Sequence, residues 1–450
     1  MTIKRTIAGI CGAVAALCVA TGACAQTTDA PVNPDDEAPL ETFAWSPFQV
    51  DDYNRGRNVS VLARDRPEYD ASGIPVGGFI IFPKLVASTE FNSNALASDT
   101  GAQSDWTFRL DPSLLIQSNW NRHELEVGGD VQATQNARFS SNNELAWRFH
   151  ADGRLDIHGN SYVAALVDVR KLYIERSDTD FPQNATGPTA YYSYGALLKG
   201  VYEYDRVRLT GTLAAYYLDY GVTPGLNGTP VDQNYRDNTF LTADGRAEYG
   251  FTPEVAGFAE LSESAVQYRA PAGPFGPNPN ANETDFLVGA NFDIAHLARG
   301  EAAIGVLDRS YGPRQYKGNV GLAANGKVEY FPMDRLTLTA SARRALVETI
   351  YGFGTKISPG YIDTGGRFEA DYELKYNLIL TGRIDQSVEN YQEVDRNDVV
   401  GLYSIGGTYL INRNLGFNLS YRRYDRASSG ADHYRSFGGN EVFLTLVLQR

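Results

Sequence analysis

The sequence predicts an all-β fold, a transmembrane antiparallel up-and-down β-barrel of about 18 strands behind a short extended N-terminal segment. Three observations predict it. Segments alternating apolar with polar residues succeed one another from Phe79 to the end of the chain. The connections between them are alternately long and short. Finally, 43% of the 450 residues are hydrophobic, yet the mean hydropathy is −0.32, and after the first thirty residues no apolar run approaches the ~20 that a spanning helix needs. A helical membrane protein is thereby excluded.

The elements follow in order. Lys4 and Arg5, the apolar stretch Ile7 to Ala20 and the small residues Ala23 and Ala25 read as a secretory signal over 1–25. A lipidated Cys24 is the alternative. All three cysteines, Cys11, Cys18 and Cys24, fall within that signal, so the mature chain is expected to carry no thiol chemistry. Residues 26–76 read as an acidic, mostly irregular periplasmic segment: Asp29, Asp35, Asp36, Glu37, Glu41, Asp51 and Asp52 precede the first base, Arg55. The formal net charge of −14 makes nucleic acid a poor partner.

Residues 77–450 read as one barrel. Strands are expected at 79–93, 104–119, 122–134, 143–158, 161–175, 189–204, 206–220, 238–250 and 254–268 in the first half. The second half continues at 284–296, 301–311, 318–331, 335–348, 360–376, 378–391, 398–411, 415–426 and 441–449. Connections after odd strands are mostly long, as in RSDTDFPQNATGP, and those after even strands are tight, as in the Gly159-Asn160 and Tyr376-Asn377 pairs. A soluble sandwich has no reason to sort loops by parity, whereas an outer-membrane barrel has short periplasmic turns and long external loops. The external loops 221–237 and 269–283 stand out as the longest, combining glycine, proline and asparagine with little charge.

The facing pattern gives the barrel a solvent on each side. In the stretch INRNLGFNLSYRRYDR, Leu415, Phe417, Leu419 and Tyr421 alternate with Asn418, Ser420, Arg422 and Tyr424. An outward Arg or Lys near the bilayer midplane costs ~2–4 kcal/mol, so this many charges must face inward. The expected lumen-lining set is Arg109, Glu144, Arg148, Asp152, Arg154, Asp156, Arg170, Arg246, Arg367, Asp371, Arg383 and Arg422. Of these, Arg148, Arg154, Arg367 and Arg383 are expected to face water. Acids and bases balance, which argues against a strong single-sign filter.

Other chemistry is weakly signalled. His123, His150, His158, His296 and His433 are scattered without metal-ligand spacing. The stretch GFGTK at 352–356 lacks the spacing and following helix of a phosphate loop and reads as an external loop. No Ser/His/Asp set stands out. The expectation is a protein that is not an enzyme and has no cofactor or metal. A barrel of 16 to 18 strands leaves an aqueous channel by default, and the alternative is an adhesion or structural barrel acting through its external loops.

One motif adds to this. Arg66, Pro67, Tyr69, Asp70, Gly73, Ile74, Gly77 and Phe79 form the spacing Arg-Pro-x-Tyr-Asp-x-x-Gly-Ile-x-x-Gly-x-Phe. It resembles the barrel entry of the outer-membrane β-barrel porins of proteobacteria, with Phe91-Asn92-Ser93-Asn94 similar to their recurrent Asp/Asn-Asn motif. The resemblance implies a Gram-negative outer-membrane channel. It also implies an association with exopolysaccharide export, hence polysaccharide and periplasmic export components as partners beside the membrane lipid. It supplies no substrate-binding residues.

Overall fold

The structure, a computed structural model, describes residues 54–182, 184–353 and 356–450. The expected signal at 1–25 and most of the acidic segment lie outside the described residues.

Eighteen strands form the wall. In chain order they are β1 (Phe79–Asn92), β2 (Asp105–Ser118), β3 (Glu124–Asn136), β4 (Glu144–His158), β5 (Ser161–Ile174), β6 (Thr189–Tyr204), β7 (Val207–Tyr220), β8 (Asn238–Gly250) and β9 (Val255–Tyr268). They continue with β10 (Ala281–Ile294), β11 (Ala298–Tyr311), β12 (Asn319–Met333), β13 (Leu336–Phe353), β14 (Lys356–Lys375), β15 (Leu378–Tyr391), β16 (Asn397–Asn412), β17 (Leu415–Ser429) and β18 (Phe437–Gln449). Each pairs antiparallel with the next, and β18 pairs with β1 from Lys84–Gln449 to Asn92–Glu441, which closes the sheet. Closure is what hydrocarbon demands, because a backbone N–H or C=O without a partner is expensive there.

The β1–β18 seam is shorter than β1 itself. Phe79 to Ile81 lie beyond the reach of the last strand, and a three-residue strand, Ile74–Val76, pairs with them instead. The reversal uses Gly77 at φ +61°, a left-handed conformation that glycine adopts without strain. Below Pro83, whose ring has no N–H to give, the Arg450 amide donates to the Pro83 carbonyl.

Alternation sorts the side chains. Leu145, Phe149, Phe286, Ile304, Phe368, Ile384, Ile405 and Leu419 are exposed on the outside of the wall, whereas their polar neighbours Asp168, Glu260, Glu301, Asp371 and Arg383 are buried. Exposed aromatics gather near the short-turn end (Trp120, Tyr204, Tyr249, Phe251, Tyr330, Tyr376, Tyr409) and again nearer the long-loop end (Trp106, Tyr194, Tyr403, Tyr421). Two such girdles around an apolar band mark the two interfaces of an outer membrane, with the short turns on the periplasmic side.

Several strand ends differ from expectation: β18 begins at Phe437 rather than 441, β13 ends at Phe353 rather than 348, and β17 ends at Ser429 rather than 426. β10 and β11 each begin three residues earlier than 284 and 301. β14 begins at Lys356 rather than 360, so Ser358-Pro359-Gly360 belongs to a strand, opposite a register shift between Glu348 and Tyr351. Consequently β13 and β14 extend as a long hairpin where an external loop was expected, and residues 354–355 at its tip lie outside the described residues.

Candidate functional site: the channel and its constriction

Where the interior charges lie follows from period 2, and what holds them follows from register. Across the β4–β5–β6 wall, Arg148 Nε reaches Asp168 Oδ2 at 2.6 Å and Arg170 binds the other oxygen of the same carboxylate. Arg154 pairs with Asp156 at 2.9 Å and lays its guanidinium 4.0 Å from the Tyr162 ring centroid. Arg109 pairs with Glu90 at 2.9 Å and Arg422 with Glu441 at 2.5 Å, on either side of the seam. Arg246 binds Glu248, Glu260 at 3.4 Å and Glu301 at 2.5 Å from three different strands. Asp385 is shared by Arg367 at 2.6 Å and Arg383 at 2.5 Å. Asp371 accepts from Thr381 Oγ1 at 2.7 Å, Glu144 faces Thr134, and Asp152 faces Glu126 across β3–β4.

These pairs divide the twelve expected residues by access. The Arg148 and Arg367 side chains are 39% and 43% exposed, as is Arg343 (47%), which pairs with Asp363. Arg383, by contrast, is 2% exposed. It was expected to face water with Arg148 and Arg367, but it sits under its neighbours as a structural partner of Asp385.

Two chain segments that periodicity does not mark enter the barrel from the extracellular end. The first is the connection between β5 and β6, described over 175–182 and 184–188. Phe181 packs on Leu172, Ile174, Tyr191, Tyr216 and Leu218 of the inner wall, which seats the segment at one side. From there it crosses to β17, where Arg426 Nη1 donates to Thr179 Oγ1 at 2.5 Å. Arg426 is itself clamped by Glu389 and Asp398, and Asp398 also takes Arg396.

The second segment is the upper part of the β13–β14 hairpin. Ile350 and Ile357 pack with Val266, Tyr268 and Tyr316, on strands and loops several places around the wall. Glu348 receives Arg309 Nη2 at 2.9 Å and the Tyr268 hydroxyl. The two intruding segments meet where Thr349 Oγ1 donates to Asp180. Asp180 in addition holds Arg236 of the 221–237 loop at 2.9 Å. Burial works against the Arg236 charge, but Asp180, Tyr220 and Tyr235 outweigh it and raise its pKa above the ordinary arginine value.

The external loops through which the alternative adhesion barrel would act are tied into this plug. Asn278 of the 269–280 connection donates to the Tyr235 carbonyl at 2.6 Å, joining the two long loops to each other and through Arg236 to the constriction. Lys356 near the hairpin tip binds Asp432 at 2.9 Å. That hydrogen bond and the Asp395 amide hold the Asp432 carboxyl below the usual carboxylate range.

At the periplasmic end, the described part of the N-terminal segment follows the inner rim. The Arg55 amide donates to Asp293 at 2.8 Å, the Val61 amide to Thr337 at 2.9 Å, and Arg64 and Arg66 pair with Glu373 at 2.9 and 3.2 Å. Arg413 and Gln449 then bind the carbonyls of Pro67 and Tyr69. Arg66, Pro67 and Tyr69 of the sequence motif thus anchor the chain to the turns β14–β15 and β16–β17 and to the barrel's last strand, while Asp70 accepts from the Arg66 amide within the segment.

The interior is a passage narrowed from above, lined by paired charges and tyrosines. A family model described as "Putative beta-barrel porin 2" matches residues 66–450. No curated protein matches the chain. Among solved structures, OpdL of Pseudomonas aeruginosa is similar at 11% identity and a TM-score of 0.43, over 83% of this chain and 99% of that one. A BenF-like porin from Pseudomonas fluorescens gives 11% and 0.45, over 83% and 100%. The copper transporter OprC gives 11% and 0.48, over 84% and 81%.

Proposed function

Because the chain belongs to the beta-barrel porin 2 family and is a closed barrel of the outer membrane, we propose that it passes hydrophilic solutes of small net charge, of the carbohydrate class, through a filter made by residues 175–188 and the β13–β14 hairpin. The observation carrying this reading is the pairing of the accessible lumen bases: Arg148, Arg343 and Arg367 each have a carboxylate at 2.6 Å. A passage so balanced offers hydrogen bonds without a deep well for either sign of charge, which conduction requires. Strong anions would call for an excess of unpaired arginine.

Polysaccharide export is the finer form of this reading. A polymer would have to displace the contact between Asp180 and Thr349, and the acidic residues 26–53 would be the natural docking segment for a periplasmic export component of basic surface. The infolded 175–188 segment also suits the other reading, an adhesion barrel with a closed lumen. Reconstitution decides between them. Stepwise conductance in planar bilayers together with swelling of liposomes in neutral sugars is the expected result; a folded barrel that is electrically silent would leave the adhesion reading. Loss of secreted glycan on deleting the gene tests the export form.

A further inference from the structure

The ladder between β12 and β13 stops early. From the periplasmic turn it runs only to Ala324 opposite Arg344. Above that point Asn319 to Ala323 remain paired with β11, and Ala345 onward remains paired with β14. Among the described residues no pairing joins the two upper halves. An open edge in hydrocarbon is costly, so the wall has a gap that something must cover.

Apolar side chains stand on both faces of the gap. On the lipid side Val320 is 70% exposed and Leu322 is 49% exposed. Leu346 would face Leu322 if the register continued, but it turns onto the inner wall and packs against Phe258, Leu287, Ala303, Leu307 and Ala323. Those five residues make an apolar strip from β12 to β9 in an interior otherwise rich in charge. The neighbouring apolar clusters have segments seated on them, Phe181 in one and Ile350 and Ile357 in the other. This strip has Leu346, the residue standing in the gap.

A cation marks the lower end. Arg343 points inward to Asp363, so Arg344 projects toward lipid, where its Nη1 donates to Thr364 Oγ1 at 2.5 Å. Among the described residues no carboxylate lies within ion-pair distance of Arg344, whereas Arg343, Arg367 and Arg383 nearby each have one. A lipid-facing guanidinium is tolerated when an anion satisfies it.

We propose that the gap between the upper halves of β12 and β13 is a lateral portal joining the lumen to the outer leaflet, used by single-chain amphiphiles that carry a phosphate or carboxylate. Arg344 holds the anionic head. The tail enters past Val320 and Leu322, displaces Leu346 and lies on the strip of Leu307, Leu287 and Phe258. The portal serves apolar tails that the polar lumen repels, so it operates beside axial conduction and independently of it.

The test uses the full-length barrel in phosphatidylcholine vesicles with a lysophosphatidate bearing a diazirine in its acyl chain. Residues after Cys24 include no cysteine, so the pair Leu322→Cys and Leu346→Cys introduces the only thiols of the barrel. Reduced protein should label on Leu307 and Ala323 under light, and oxidation should cut this about tenfold and reversibly. Leu346→Trp, which enlarges the plug without a crosslink, should give the same fall. Arg344→Gln should lower labelling by the lysophosphatidate about tenfold, the loss of one charge-assisted contact, and leave labelling by the matching uncharged monoacylglycerol unaltered. Labelling confined to lipid-facing positions, or inner labelling that survives both closures, would overturn the portal. Competition by millimolar inorganic phosphate alone would show a site for the free anion and overturn the assignment to amphiphiles.

Discussion

Asp168 and Asp385 each hold two arginines, one open to water and one covered, and this asymmetry separates selectivity from stability. Replacing Arg148 and Arg367 together by serine leaves Asp168 with Arg170 and Asp385 with Arg383. The barrel should fold as before, and reversal potentials in a salt gradient should move toward cations because two lumen positives are gone. Arg383→Ser instead removes a covered side chain. Arg426→Ala goes further, since it takes one guanidinium from both Glu389 and Asp398 and removes the hydrogen bond to Thr179. Breaking a buried pair from one side typically costs about 3–5 kcal/mol, so the denaturation midpoint of Arg426→Ala should fall well below that of the double serine variant. Sequence alternation shows which residues share the inner face; it does not show that Arg383 is covered and Arg367 is open to water.

Among the elements, strands were the legible part and intruding segments were not. A strand announces itself by period 2 and by its turns, so β1 to β9 fall within a few residues of expectation. Only the start of β14, Lys356 to Pro359, escaped, because Ser358-Pro359-Gly360 has turn composition; the pairing with β13 across its register shift makes it strand. The segment 175–188 reads as an ordinary polar loop, since nothing in its own order records that Phe181 finds an apolar seat on β5, β6 and β7. Deleting residues 178–182 should raise single-channel conductance several-fold and leave heat-modifiable gel mobility intact; unchanged conductance would place the constriction elsewhere. The Lys356–Asp432 contact gives a second, pH-dependent prediction. Because the folded carboxyl has a lowered pKa, its stabilisation is complete above the ordinary aspartate value of about 3.9 and is lost as pH falls through the lower folded value. Amide protection factors at Asp395 and Asp432 should accordingly be the same at pH 5 as at pH 7, and Lys356→Met should lower them at both.

At the scale of the whole molecule, the rim-hugging N-terminal segment sets a requirement on timing. Its contacts join positions 238 residues apart at Asp293, 276 apart at Thr337 and 346 apart at Arg413. None of these partners exists until most of the sheet does. The segment nevertheless lies against the inner rim, and its continuation at Ile74–Val76 completes the very seam by which the cylinder shuts. Loops this long are slow to close, so the leading end of the chain must wait, unpaired, while seventeen strand pairings form, and must be gathered in before the last one does. A chain shortened to begin at Gly73 should therefore insert into liposomes faster than the full barrel, yet unfold sooner in urea. The same segment supplied as a separate peptide after closure should fail to restore stability. The first residues of the barrel are, in this sense, a latch that only an unfinished cylinder can admit.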